Sequence, residues 1–381
     1  MIFKESYGGR RGGRVKRITN GLEISSHDQM DTHYMVSIKK AHGCDVAKVK
    51  LWNKYCEEYN HQCGGALVAP DMVISNCHCM MYETYKVGGV RSPPLNPSFD
   101  EWTSTTTEDT KEPLQEFYFE IEPRHPIYNL MTLWMGGVDI DELLQRQFAK
   151  TFFPHSQCNY REYFVIGGEN TTLKDKLWDF KRPQFDVGLI RTWESFTINK
   201  DVKLVPLILG DELMNFHRTV VRNMHVCLLT GYGQTEYGFR AWRLRYSFRQ
   251  MQCTSLCQLT RSDVHECEIC ATSVARPDYR KPSSSPSHGD SGSPIVCRYK
   301  DKNVLFSVHS QKLDDKFEFK INASVSISVA LACVKHLITP ENMQYLREID
   351  NQKYPEKFYK LDQAAMGPFG EESYTNDNRR V

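Results

Sequence analysis

Apolar residues in this chain occur in short runs, and turn-forming residues separate one run from the next. The runs contain four to seven residues and lie at 34–38, 65–69, 72–75, 187–190, 226–230, 294–297, 304–308 and 323–329. Gly, Pro, Asn and Asp between the runs favour turns, and segments of this length are shorter than typical helices. The pattern therefore predicts an all-β sandwich or barrel.

The last part of the chain has a different pattern, which predicts a helix over 330–352. Its apolar residues recur at helical spacing and are Leu331, Val334, Leu337 and Ile338. We expect a restart of the helix at Pro340, because proline is favoured in the first helical turn. Two charged stretches, 39–62 and 130–183, show no period and are interpreted as surface insertions. Residues 1–17 are rich in Gly and Arg, cannot bury a core, and are expected to be disordered.

Composition argues against several classes of function. Of 381 residues, 48 are basic and 47 acidic, so the formal charge is +1, and nothing indicates a nucleic-acid or membrane-surface partner. No apolar run approaches the roughly 18–20 residues that span a bilayer. Apolar residues make up 40% of the chain, which is enough for a sizeable core and argues against global disorder.

The 13 cysteines favour a disulfide-forming compartment and a secreted protein. Asn170 and Asn322 lie in Asn-x-Ser/Thr triplets, which weakly favour a secretory route, although residues 1–13 contain no apolar stretch of the kind found in signal peptides. Two cysteine pairs resemble zinc-knuckle spacing: Cys253 with Cys257, and Cys267 with Cys270. Disulfide half-partners are the alternative that we favour, and we expect neither a metal nor a cofactor.

The strongest candidate for chemistry is the segment Ser287-His-Gly-Asp-Ser-Gly-Ser-Pro294. Glycines close to Ser291 leave its hydroxyl uncrowded and let a substrate backbone approach. Successive N–H groups in such a turn can converge on one oxyanion. An ordinary Gly/Ser turn is the alternative. A catalytic serine also needs a base, and the base needs an orienting acid.

Together with further blocks, this segment resembles the chymotrypsin/trypsin family of serine proteases. Cys63-Gly-Gly-Ala-Leu67, followed by Met72-Val-Ile-Ser-Asn-Cys-His-Cys79, is similar to the family's block around the catalytic histidine, with His78 at the family's spacing. Phe185-Asp-Val-Gly-Leu-Ile190 resembles the aspartate block, and Cys227-Leu-Leu-Thr-Gly-Tyr-Gly233 resembles a framework strand. Asp139 and Asp141 compete with Asp186 for the role of the acid. Asp186 is favoured because Val205-Pro-Leu207 matches the pattern that follows the family's aspartate.

The resemblance implies an all-β fold of two six-stranded antiparallel Greek-key barrels with a C-terminal helix. The chain would then consist of a propeptide-like segment over 1–17, a peptidase domain over 18–338, and a helical extension with a polar tail over 339–381. Protein or peptide substrates are implied as partners.

The resemblance also implies residue roles. Ser291 would attack the scissile carbonyl, His78 would move the proton, and Asp186 would orient the imidazole. The backbone N–H groups of Gly289 and Ser291 would form the oxyanion hole, and Ser310 would lie close to the aspartate.

Three disulfides are implied by the same resemblance: Cys63–Cys79, Cys227–Cys297 and Cys257–Cys270. Cys44–Cys56 is a further candidate within the first insertion. The remaining cysteines have no predicted partner and are Cys77, Cys158, Cys253, Cys267 and Cys333.

Arg17-Ile-Thr-Asn-Gly21 resembles the family's activation site. Cleavage after Arg17 would free the amine of Ile18, and the resemblance implies that this amine pairs with Asp290 and orders the oxyanion loop. Because the residues before the cut also resemble a convertase site, a convertase or a trypsin-like protease is the expected activating partner. A merely basic tail is the alternative.

Four positions depart from the family's pattern: Asn76-Cys77 replaces two alanines, Ser293 replaces a glycine, and Ser287 replaces a cysteine. They keep a second function open, that of a weak or inactive homologue that binds or regulates.

The specificity pocket also departs from the trypsin-like pattern. Ser285 stands where trypsin-like members carry an acid, so preference for Arg or Lys is not expected. His309, Lys312 and Ser324 are expected at the pocket walls, which would suit either small or acidic side chains.

Overall fold

A computed structural model describes residues 21–41, 59–80, 85–87, 90–91, 115–119, 131–158, 163–166, 185–235, 241–259, 264–265, 267–274, 284–313 and 324–353. Several sequence predictions lie outside these ranges and stay predictions: the cleavage site at Arg17 and Ile18, the pair Cys44–Cys56, the triplets at Asn170 and Asn322, the segment 1–17 and the polar tail after Gly367.

The described residues form a mostly β structure. In chain order the strands are β1 (Leu22–Glu23), β2 (Met35–Ala41), β3 (Tyr59–Ala69), β4 (Met72–Ser75), β5 (Tyr85–Val87), β6 (Val90–Arg91), β7 (Gln115–Phe119), β8 (Met131–Met135), β9 (Gln145–Pro154), β10 (Tyr163–Ile166), β11 (Gly188–Thr192), β12 (Val226–Gly231), β13 (Arg245–Gln252), β14 (Glu268–Ser273), β15 (Pro294–Tyr299), β16 (Lys302–Lys312) and β17 (Val325–Ala330). The α-helices are α1 (Cys77–Met80), α2 (Gly210–Arg222), α3 (Thr254–Gln258) and α4 (Pro340–Lys353), and His27–Gln29 and Lys335–Ile338 are 3-10 helices.

Two closed antiparallel barrels of six strands each contain most of these strands. The first barrel has the order β11-β4-β3-β2-β8-β9, and the second has the order β13-β12-β15-β16-β17-β14, closed by pairing of β13 with β14. Strand β1 extends the second barrel at β13, and β5, β6, β7 and β10 form a separate four-stranded sheet. The predicted fold class, two six-stranded antiparallel barrels followed by a C-terminal helix, is confirmed, and it fits a chymotrypsin-like fold.

Five buried apolar clusters occur among the described residues, and three of them fill or join the barrels. One fills the first barrel and includes Val73 and Ile190, and another fills the second barrel and includes Leu229 and Phe306. The third contains residues of both barrels. Strand β4 serves two of these clusters, because all of its residues are buried and alternate side chains of a strand face opposite sides. Each fully buried aliphatic side chain contributes about 1.5–3 kcal/mol, so β4, which leads directly to His78, is firmly held.

Part of the segment predicted as the second insertion, 130–183, belongs to the first barrel. Strand β8 pairs with β2, and β9 pairs with both β8 and β11. The prediction was wrong for these two strands. In β9, Arg146 and Lys150 stand among the apolar residues and hide the alternation expected of a strand. The ends of the predicted first insertion, 39–62, likewise belong to β2 and β3.

The predicted helix over 330–352 is shorter in the structure. Residues 331–338 form turns and a 3-10 helix, and α4 begins at Pro340. The Thr339 hydroxyl accepts a hydrogen bond from the Asn342 amide at 3.2 Å, so Thr339 caps the new helix as proline opens it. Val334 and Ile338 are fully buried, and they pack into the cluster shared by both barrels. Their helical spacing therefore reflects this packing and not one continuous helix.

A buried ionic network joins α4 to the first barrel. Asp350, which is 1% exposed, accepts hydrogen bonds from Arg191 Nη1 at 2.5 Å and from the Thr151 hydroxyl, and it pairs with Lys150 Nζ at 3.0 Å. One turn earlier, the Arg347 guanidinium contacts both carboxylate oxygens of Asp71. Although burial opposes ionisation of Asp71, the hydrogen bond and charge of Arg347 lower the pKa of that carboxyl below its usual value.

Five disulfide bonds lie within the described residues. The three pairs implied by the family resemblance are present: Cys63–Cys79, Cys227–Cys297 and Cys257–Cys270. Two pairs that the sequence did not predict are Cys77–Cys158 and Cys267–Cys333, and Cys253 is an exposed free cysteine. Bonds in this number are typical of proteins that fold in an oxidising compartment. Across the part of the chain that the structure describes, no helix is long and apolar enough to cross a membrane.

Candidate active site

His78 lies on a very short helix that other parts of the fold must hold in place. The four-residue helix α1 follows β4, and a helix of one turn has little stability of its own. The residue before His78 is bonded to Cys158 and the residue after it to Cys63. The imidazole is 32% exposed, so the ring is anchored and remains open to solvent.

Asp186 lies buried against His78. Its Oδ2 accepts a hydrogen bond from His78 Nδ1 at 2.7 Å and one from the Ser310 hydroxyl at 2.6 Å, while Oδ1 accepts from the His78 amide at 3.0 Å. Burial alone would raise the pKa of Asp186, but the His78 imidazole and the Ser310 hydroxyl outweigh burial and lower it below its usual value. Since an ionised carboxylate only accepts hydrogen bonds, Nδ1 carries the ring proton and Nε2 is free to act as a base.

Ser291 lies in the turn before β15, and its side chain is not yet bonded to the imidazole. Its Oγ donates to the Ser310 carbonyl at 3.3 Å, and no hydrogen bond joins the two described side chains of Ser291 and His78. Transfer of its proton to Nε2 requires a hydrogen bond different from the one that the structure shows. Such bonds are often long or misaligned without substrate and form on binding.

The amides of Gly289 and Ser291 are held in fixed directions and donate to no described residue. The Gln234 amide bonds the His288 carbonyl at 2.7 Å, and the Ser293 amide bonds the Asp290 carbonyl at 3.0 Å. Each bond fixes the peptide plane whose other end is the Gly289 or Ser291 N–H group. Gly289 has a φ of 95°, which favours glycine. The turn therefore holds two fixed N–H groups that have no acceptor among the described residues.

Asp290 lies fully buried beneath this turn. Its carboxylate accepts hydrogen bonds from the Gly233 and Ser287 amides, both at 2.9 Å. A side chain at Gly233 would collide with the carboxylate, so glycine is required there for the close approach. Burial raises the pKa of Asp290 to about 6, against the opposing effect of these hydrogen bonds. No cation among the described residues forms an ion pair with this carboxylate.

His61 was not predicted from the sequence, yet it braces the same turn. Its Nε2 lies 2.9 Å from the Gly289 carbonyl and its Nδ1 lies 2.8 Å from the Ser37 hydroxyl. Because a carbonyl only accepts, Nε2 carries the proton and Nδ1 accepts from Ser37. The sequence signal that could have identified it is a histidine two residues before Cys63, on the buried strand β3.

Each departure from the family's pattern has a place in the structure. The Asn76 side-chain Nδ2 donates to the Asp186 carbonyl at 2.6 Å, and Cys77 is bonded to Cys158. The Ser287 hydroxyl donates to the Gln234 carbonyl at 2.5 Å, and its amide donates to Asp290. Ser293 is fully buried, with its hydroxyl close to Gly64, where no side chain occupies the space. None of these changes separates His78 from Asp186.

The predicted pocket residues lie on neighbouring segments of the second barrel. The Ser324 hydroxyl donates to Ser285 Oγ at 2.7 Å. His309 is 2% exposed, and its Nδ1 has no hydrogen-bond partner. Lys312 ends β16 opposite Ser326.

A buried arginine behind these residues was missed by the sequence reasoning. The Arg249 guanidinium donates to the Ser284 and Ser324 carbonyls at 3.0 and 2.9 Å. Burial, followed by the charge of Arg249, lowers the pKa of His309 to about 3. Period-2 alternation along β13 puts Arg245 and Arg249 on the buried face of that strand, and this is the signal that could have revealed them.

The two rival acids lie elsewhere. Asp139 forms an ion pair with Arg243, with Nε and Oδ1 2.7 Å apart, and Asp141 is exposed. Geometry therefore brings only Asp186, of the three candidates, to His78.

No protein-family model matches this sequence. Two groups of potential metal ligands occur among the described residues, one of Cys63, His78 and Cys79 and one of Cys77, Cys158 and Asp186. Every cysteine in them is engaged in a disulfide. The Cys253–Cys270 region does not form a zinc knuckle, because Cys257 and Cys267 are bonded to Cys270 and Cys333.

Proposed function

We propose that this chain is a secreted serine endopeptidase that hydrolyses peptide bonds through an acyl-enzyme. The observation that carries the proposal is the buried Asp186 carboxylate, which accepts three hydrogen bonds and fixes the proton of His78 on Nδ1. A histidine with only a structural role would not need its proton fixed in this way. Nor would it need to lie next to a serine turn whose Gly289 and Ser291 amides donate to no described residue.

The proposed mechanism follows from these positions. The Ser291 hydroxyl gives its proton to His78 Nε2 and attacks the scissile carbonyl, and the Gly289 and Ser291 amides stabilise the oxyanion. His78 then protonates the leaving amine, while Asp186 stabilises the imidazolium. A water molecule, activated by the same imidazole, hydrolyses the acyl-enzyme.

A fluorophosphonate probe tests this proposal directly. We expect covalent labelling of Ser291 in protein cleaved after Arg17, and no labelling of Ser291→Ala, because only a serine activated by a base reacts with the probe. Mass spectrometry of the labelled peptide identifies the site. Correctly processed protein that stays unlabelled would instead support the second candidate, a homologue without turnover that binds or regulates; the bond from Ser291 to the Ser310 carbonyl is the observation in its favour.

For specificity, we propose that the pocket prefers an acidic side chain. The sequence left small and acidic side chains as alternatives, and Arg249 favours the acidic one because it brings a positive charge behind the wall formed by Ser284 and Ser324. A peptide library incubated with the unlabelled protein measures which side chain the pocket prefers, and the probe-labelled protein serves as the control. Dominant cleavage after Arg or Lys contradicts both alternatives.

We further propose that cleavage after Arg17 activates the enzyme. The buried Asp290 carboxylate has no ion-pair partner among the described residues, and a free Ile18 amine is the expected partner. Such a pair would hold the turn that carries Gly289 and Ser291.

The pH dependence of stability tests this activation step. In uncleaved protein the pKa of Asp290 is raised to about 6, so the folded chain binds a proton more tightly than the unfolded chain, and stability falls as the pH rises from about 4 to 6. The loss is about 3 kcal/mol for this group. We expect urea titrations to show this loss of stability in Ser291→Ala protein and not in the same protein carrying Asp290→Asn.

After cleavage the amine should stabilise the charged carboxylate, so Asp290→Asn becomes the less stable protein at pH 7. If cleaved and uncleaved proteins show the same pH dependence, Ile18 does not pair with Asp290.

A further inference from the structure

The Cys77–Cys158 disulfide lies directly beside the candidate catalytic pair. Its two Sγ atoms and a carboxylate oxygen of Asp186 all lie within 4.8 Å of one another. Cys77 is fully buried and Cys158 is 6% exposed. Cys77 also precedes His78 in the chain, so one bond lies beside the acid and is adjacent to the base.

The segment at the far end of this bond is itself attached to Asp186. The Cys158 amide donates to the His155 carbonyl at 2.8 Å, and the His155 amide donates to the Val187 carbonyl at 2.9 Å. The His155 ring stacks on Phe185 at 4.7 Å between centroids. The residues on both sides of Asp186 therefore contact the turn that ends at Cys158.

We propose that the Cys77–Cys158 disulfide is a positioning element that fixes His78 relative to Asp186. The bond joins α1 to the turn that holds the Asp186 segment, and so it closes a covalent link between the supports of the base and of the acid. The second disulfide of α1, Cys63–Cys79, joins it only to β3. Without the first bond, α1 keeps one covalent support besides the hydrogen bonds between His78 and Asp186, and two unbonded sulfur atoms need more room than a disulfide beside the carboxylate.

This inference rests on the proposed endopeptidase function. A displacement of about 1 Å at a catalytic group can lower the rate about 10²-fold. We therefore expect Cys77→Ala/Cys158→Ala to lower kcat about 10²-fold with KM changed less than about threefold, because substrate contacts remain. The matched control is Cys227→Ala/Cys297→Ala, which opens a buried disulfide of similar sequence separation, 70 against 81 residues, in the second barrel. It should lose comparable stability and keep kcat within about twofold.

A spectroscopic readout separates positioning from general destabilisation. Ring-nitrogen NMR of His78 reports whether Nδ1 keeps its proton, and we expect a mixture of tautomers in Cys77→Ala/Cys158→Ala and a single tautomer in the control. If the double variant does not fold, brief treatment of folded wild-type protein with dithiothreitol replaces it. The reagent becomes a cyclic disulfide as Cys77 and Cys158 become thiols, and mass spectrometry of alkylated samples quantifies the opened bond.

Loss of kcat in proportion to opened Cys77–Cys158 supports the proposal. Unchanged kcat and a single His78 tautomer with this bond open overturn it, as does full recovery of kcat in Cys77→Ala/Cys158→Val, which would assign the effect to packing alone. If wild-type protein fails to label at Ser291, the endopeptidase proposal fails, and the NMR readout still decides the positioning.

Discussion

Replacing Asp186 by asparagine is expected to lower kcat about 10⁴-fold while leaving the fold intact. The carboxylate accepts from His78 Nδ1, from the His78 amide and from the Ser310 hydroxyl. An asparagine has one acceptor oxygen, so its amide nitrogen would face His78 Nδ1 and turn that atom into an acceptor. The ring proton then moves to Nε2, which can no longer take the proton of Ser291. Single-turnover kinetics with a peptide ester measure the loss.

Asp139→Asn is the matched control for this change. Asp139 is a rival for the acid in the sequence, but it pairs with Arg243, so kcat should not change. A large loss at Asp139 and a small one at Asp186 would show that the acid has been misassigned.

Replacing Asp350 by alanine is expected to destabilise the protein by about 3–5 kcal/mol, because the change removes the carboxylate that two buried cations share. Lys150 and Arg191 side chains are 5% and 11% exposed, and both contact the same Asp350 oxygen. This loss is a large part of the roughly 5–15 kcal/mol by which a domain is usually stable. Urea unfolding followed by circular dichroism measures it.

Glu212→Ala removes an ion pair of another kind and serves as the comparison. Glu212 and Lys300 are 49% and 73% exposed, so water replaces the lost contact and the free energy of unfolding should change little. Equal losses for the two variants would mean that burial of the network on α4 has no special role.

The strands that the sequence predicted are those whose buried residues follow one another in short apolar runs. Strand β4 matches its predicted limits, Met72–Ser75, because every residue is apolar or small and buried. Strand β9 escaped prediction because Lys150 is buried against Asp350, a carboxylate 200 residues later, and no window along the chain contains both. Local pattern shows what a segment can bury, whereas the partner of a buried charge is set by the tertiary structure.

The candidate site divides in the same way. His78 and Ser291 lie in short motifs, so both could be proposed as catalytic candidates from the neighbouring residues alone. The contact of Asp186 with His78 needed the structure, since two other aspartates had suitable spacing. Cys77–Cys158 and Cys267–Cys333 join positions 81 and 66 residues apart, and pairing over such distances cannot be deduced from spacing.

The ionic anchor of α4 also sets the order in which the molecule can be completed during synthesis. Arg191 leaves the ribosome 159 residues ahead of Asp350, which at about 5–20 residues per second is a delay of roughly 10–30 s. Throughout that interval Lys150 and Arg191 lack the carboxylate that they share in the folded protein. Although the amino-terminal half of the chain is made first, part of its assembly is completed last, when the carboxyl-terminal helix α4 emerges.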